Sequence, residues 1–230
     1  MTPTEYAEAL QAFFAPFENS YNAGRMSKYM LNKFEFFGIQ SPLRKQLTGQ
    51  FTTLNGIPAP DQLDKTVRLI WQMPQRELHY AIMEIASRKV YLADEGRIQL
   101  FEWMVIHQSW WDTVDYIASN LVGPWLFRYR HLTGEVTGRF MQSGNMWLQR
   151  TVLLFQLKYK VNTDLDLLFR NIRALIDSKE FFIRKAIGWA LREYSKTNPK
   201  PVLEFTANTG LSPLSRREAL KVILKKQNDE

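Results

Sequence analysis

The chain of 230 residues contains no cysteine. That absence removes disulfides, thiolate zinc sites, iron–sulfur clusters and a cysteine nucleophile together, and fits a reducing compartment. Histidine is almost as scarce. His79, His107 and His131 lie far apart with no HExxH or comparable spacing, so no metal site is expected. Also missing are a glycine-rich phosphate loop, a dinucleotide fingerprint and a nucleophile elbow, which sets nucleotide hydrolysis and redox chemistry aside and leaves no cofactor to expect. No eighteen apolar residues run together, and Met1–Glu5 lacks a basic stretch leading into an apolar one. The expectation is a soluble, cytoplasmic protein.

What is present is helix-forming sequence. Apolar residues recur at three- and four-residue spacing, as in Val67, Leu69, Ile70 and Trp71, then Leu78, Ile82 and Ile85, then Leu100, Met104 and Val105. Start signals precede such runs at Ser41-Pro42, Pro60-Asp61, Ser109, Asn145, Asn198-Pro199 and Ser212-Pro213. About a dozen helices of roughly 10 to 17 residues are predicted, joined by short turns.

The helices repeat. With Ala81, Asp115, Thr151, Ala186 and Ala219 in register, the steps are 34, 36, 35 and 33 residues. That period belongs to stacked helical hairpins of the HEAT kind, so the fold class is all-α, a HEAT-like solenoid with a concave basic groove, formed as one domain over 1–230. The next position reads Ile82, Tyr116, Val152, Ile187 and Leu220; four positions before the register come Glu77, Trp111, Trp147, Phe182 and Ser215. The register falls on the second helix of each pair, facing the groove or the adjoining core. Where the other repeats place Ala or Thr, one places the carboxylate of Asp115. A charge at a position that should be buried is either a departure made for function or an aspartate that caps or is solvated near a helix start.

Net charge is +7, and it is uneven: residues 1–122 carry 11 Lys/Arg against 13 Asp/Glu, residues 123–230 carry 19 against 10. A one-sided basic surplus is the footprint of a polyanion, or a merely solvated face. Trp111 stands one helical turn before Asp115, and Trp189 offers a second indole on a later second helix. Arg150 aligns with Lys185 and Arg184 with Arg217, beside Phe181, Phe182 and Arg216, in first turns where free N–H groups favour phosphate. A carboxylate between indoles, ringed by cations, suits removal of a purine alkylated at N3 or N7. Such a base is already a cationic leaving group, and what it needs is stabilisation of an oxocarbenium-like sugar, a held water and electron-rich ring faces. Asp115 would serve the sugar and water, Trp111 and Trp189 the cationic nucleotide, and the basic residues the phosphates. Trp103, Trp110, Trp125 and Trp147 read as packing residues, and Asp112 as a helix-start carboxylate.

Ser109–Asp115, Asn145–Lys160 and Ser178–Asn198 resemble the AlkD family of DNA alkylation repair glycosylases, as do Met26–Met30 and Phe37–Pro42. The WWDxVD, WLQR and FFIxKAIGW segments stand in that family's order and spacing, over nearly the whole chain. Divergence is confined to the loops around Asn55–Pro60 and Gly123–Gly138. The resemblance implies a glycosylase that excises 3-methyladenine and 7-methylguanine from duplex DNA without flipping the base. It implies that Asp115 is catalytic, that Trp111 and Trp189 contact the lesion, and that Arg150, Tyr29 and Gln40 lie at or near the DNA. Such a protein can work as a monomer. The rival from another class is a non-catalytic repeat scaffold binding DNA structures or proteins. The two separate on Asp115: a carboxyl pointing away from the cationic channel, or tied up in a buried ion pair, collapses the enzymatic reading to the scaffold.

Overall fold

The structure, a computed structural model, describes residues 1–228. It is all-α, and its contacts divide into two compact units, residues 1–100 and 101–230, with the boundary inside one helix. The first unit holds α1 (Pro3–Phe14), α2 (Ser20–Tyr29), α3 (Ser41–Asn55), α4 (Leu63–Trp71), α5 (Arg76–Ala86) and α6 (Lys89–Leu92). The boundary helix is α7 (Ile98–Ile106). There follow α8 (Trp111–Ile117), α9 (Gly123–Arg128), α10 (Thr133–Gln142), α11 (Met146–Leu154), α12 (Leu165–Ala174), α13 (Phe181–Ser195), α14 (Pro199–Asn208) and α15 (Pro213–Asn228). No helix is long and apolar enough to cross a membrane among the described residues.

Local chemistry sets many of the starts. Thr2 and Glu5 close a reciprocal capping box on α1 with Pro3 at its first position. Asn145 accepts the Trp147 and Leu148 N–H groups at the head of α11, and Asn198 accepts from Lys200 at α14. Two expected starts are displaced. The run after Pro60-Asp61 becomes helical only at Leu63, and Ser109 bonds back to the Val105 carbonyl while α8 begins two residues later.

Several helices are shorter than their apolar period suggests, and α8 shows why. It lasts seven residues before passing into a π turn at Ala118–Val122 and then α9. Pro124 has no N–H to give and its ring clashes with a carbonyl four residues back, so a regular α-helix cannot run through Asn120.

The repeat register survives folding. In the second unit α8, α11, α13 and α15 pack one upon the next. Ala81, Thr151, Ala186 and Ala219 are all fully buried, as small residues between close helices should be. Gly188 marks the closest approach: a Cβ there would lie 2.5 Å from the Glu218 Cβ and 2.7 Å from the Ser215 carbonyl, so α13 and α15 can meet only over a glycine. Around these helices Leu153, Leu154, Ile172, Ile183, Ile187 and Leu191 form the core, each worth about 1.5–3 kcal/mol of transfer free energy. The first unit packs around Phe14, Phe51, Leu63 and Trp71, with Tyr6 edge-on to Phe51 at 5.1 Å.

Candidate active site

Asp115 is the exception in the buried column, and α8 delivers it. Trp110 is fully extended, the helix starts at Trp111, and Asp115 follows one turn later. Its partner comes from the next second helix. On α11, Arg150 donates from Nε to Oδ1 at 2.7 Å and from a terminal nitrogen to Oδ2 at 2.8 Å, while its other terminal nitrogen donates to the Phe182 carbonyl on α13. One planar guanidinium therefore locks three helices, using the fork geometry that a lysine lacks.

The pair is unevenly covered, the Arg150 side chain being 5% exposed and that of Asp115 12%. Burial pushes the Asp115 carboxyl above the ordinary aspartate value, Arg150's hydrogen bonds and charge oppose the shift, and the neighbouring Asp112 carboxylate adds to it. Arg150 uses one lone pair on each carboxylate oxygen, and each oxygen has another.

An aromatic cluster adjoins the pair. The Trp110 and Phe182 rings meet at 5.1 Å, Trp147 and Phe182 at 5.1 Å, and Trp110 and Trp147 at 5.8 Å, while Phe181 stands edge-on to Phe182 at 5.4 Å. Sequence reasoning assigned Trp110 and Trp147 to packing alone. Both are half-buried, beside the helix turns that carry the ion pair, and Phe181 is exposed. The signal was in the register, since Trp147 and Phe182 occupy the same position in successive repeats and so meet across neighbouring helices. Trp125 is fully buried, a core residue.

The remaining expected residues divide. Trp111 is half-buried on the first turn of α8, and Trp189 is half-buried and packs on the core of the second unit. Arg150, expected among the phosphate contacts, has its guanidinium buried and occupied by Asp115 and Phe182. Lys185 reaches Glu218 at 3.0 Å, and Arg192 takes the other oxygen at 2.8 Å, so the Glu218 carboxyl is held below its usual range, first by Lys185. Arg184 is half-buried and donates to the Ser178 carbonyl, whereas Arg216 and Arg217 are exposed at the head of α15. Tyr29 and Gln40 belong to the first unit, where both line a recess of about 400 Å³ beside α2. Among the described residues no group of three or more His, Asp or Glu is placed to hold a metal ion.

Comparison with known proteins speaks to this arrangement. Residues 10–223 match the model of a family described as DNA alkylation repair enzyme. A solved structure described as a predicted DNA alkylation repair enzyme from Enterococcus faecalis is similar at a TM-score of 0.83 and 34% identity, over 90% of this chain and 97% of that one. No curated protein matches. With the family's model spanning both units and the exceptional carboxylate within it, the chain belongs to the DNA alkylation repair enzyme family.

Proposed function

We propose that the protein is a DNA glycosylase that hydrolyses the N-glycosidic bond of cationic N3- and N7-alkylated purines, 3-methyladenine and 7-methylguanine among them, in duplex DNA and without flipping the base. The carrying observation is a nearly buried carboxylate at the one register position where the repeat otherwise puts Ala or Thr, its side chain 12% exposed against 5% for the arginine that pairs with it. In this reading the C1′–N bond breaks with its electron pair staying on the purine, which leaves neutral because it began cationic. The Asp115 carboxylate stabilises positive charge on the sugar, worth most where water is scarce. Water adds to C1′ and passes its proton to Asp115, whose raised proton affinity suits that step. The half-buried indoles offer electron-rich faces to the cationic nucleotide, and the exposed Arg216 and Arg217 supply phosphate contacts.

The Asp115–Arg150 pair favours a second reading. On sequence grounds a carboxylate held in a buried ion pair spoke for a scaffold that binds DNA without cutting it. Two features weigh against that: the acid is the more exposed partner, and Arg150 leaves a lone pair on each of its oxygens for water or sugar. Base release from methylated duplex DNA separates the two. Asp115→Asn should keep duplex affinity and lose about 10²–10³ in release rate. Equal release by variant and wild type rejects Asp115 as the catalytic group, and release by neither assigns the protein to the scaffold class.

A further inference from the structure

Within the first unit, α2 is unusual. None of its ten residues is buried, and it ends in a turn where Leu31 and Asn32 have φ of 57° and 55°, a left-handed region that leucine rarely enters. The turn is pinned, with the Asn32 N–H bonded to the Ser27 carbonyl at 2.8 Å and the Ser27 hydroxyl to the Phe34 carbonyl at 3.0 Å. What this rigid, strained turn presents is apolar: Leu31 is 68% exposed and Tyr29, just before it, 71%. Strain kept in a well-bonded turn in order to expose a leucine is what a contact residue requires and a packing residue does not.

The electrostatics choose the partner. From Asn19 to Phe34 the chain carries Arg25, Lys28 and Lys33 and no carboxylate, although residues 1–122 as a whole are slightly acidic. An apolar tip on a segment whose own charges are all cationic, with Glu18 and Glu35 just outside it, is complementary to duplex DNA. A single side chain fits the narrow minor groove, where leucine and similar wedges are used, while the cations meet the flanking phosphates. We infer that the Tyr29–Asn32 turn is a minor-groove probe, with Leu31 entering the groove and Arg25 and Lys28 on the backbone. The inference rests on duplex DNA being the partner, and is independent of the chemistry at Asp115.

Leu31→Gly tests it, because glycine relieves the left-handed conformation while removing the side chain. The full chain is titrated with undamaged A·T-rich duplex over a range of salt, with and without netropsin filling the minor groove. Leu31→Gly should melt no lower than wild type, bind roughly tenfold more weakly with an unchanged salt slope, and respond little to netropsin. Netropsin should bring wild type down to the variant's affinity, Leu31→Met should restore binding, and Lys28→Ala should reduce the salt slope by about one. Equal affinity of Leu31→Gly and wild type, a fall in melting temperature that tracks the loss of affinity, or netropsin weakening both alike overturns the probe. Wild type failing to bind duplex at all overturns the glycosylase reading too, whereas weakened Leu31→Gly binding in a protein that releases no base leaves the probe standing.

Discussion

Each unit covers most or all of a carboxylate on a second helix, Glu77 in one and Asp115 in the other, and the two are treated differently. Glu77 on α5 is completely sealed and accepts N–H groups from Phe37 at 3.1 Å, Gly38 at 2.9 Å and Ile39 at 3.0 Å. It closes the loop leading to α3. The loop comes so near α2 that a Cβ on Gly38, at φ +88°, would stand 2.1 Å from the Asn19 carbonyl. Among the described residues no backbone N–H donates to the Asp115 carboxylate; a side chain satisfies it, and the Asp115 side chain stays 12% exposed. A sealed carboxylate held by three backbone donors is a structural fastener. One satisfied by a single arginine, with lone pairs left over, can still meet a ligand.

That contrast can be broken by mutation, and the largest effect should come from the partner. Arg150→Ala removes a buried cation, strands a nearly buried carboxylate and frees the Phe182 carbonyl, so urea denaturation should show a loss of about 3–5 kcal/mol. The salt slope of DNA binding should stay unchanged, since the guanidinium faces Asp115 and not phosphate. A shallower slope would return Arg150 to the phosphate contacts that sequence reasoning gave it. Glu77→Gln should cost less, about 1–3 kcal/mol, because the amide can still accept from Gly38 and Ile39 but turns an NH₂ toward the Phe37 N–H. Base release per folded molecule should be unaffected. Were release lost with fold and DNA affinity intact, the division between fastening and working carboxylates would be wrong.

Much of this was legible in the sequence. The period near 35 residues located Ala81, Thr151, Ala186 and Ala219, which are all buried, and singled out Asp115, which is not. It was legible because packing between successive helices admits only small side chains, a constraint that returns once per repeat. The partner of Asp115 was harder to see, since Arg150's place in the first turn of α11 reads as a phosphate contact when taken alone. A clue was nonetheless present: the two are 35 residues apart, one repeat, and Lys185 and Glu218, which also pair, are 33 apart. Opposite charges one period apart face each other across neighbouring helices. The break in α8 was announced by Pro124, which apolar periodicity alone passes over, whereas the strained turn at Leu31 was illegible because that periodicity carries no information about where a backbone leaves the α region.

The central claim is that an ionised Asp115 acts on the glycosidic bond, and the pH dependence of single-turnover base release tests it most directly. Burial raises the carboxyl above the ordinary value of 3.8, and the anion is the working form, so release should be full at high pH and fall as pH drops through a midpoint above that value. In Asp115→Asn the rate should be low and flat across the same range, after spontaneous depurination is subtracted. Wild-type and variant profiles of the same height and shape would contradict the account.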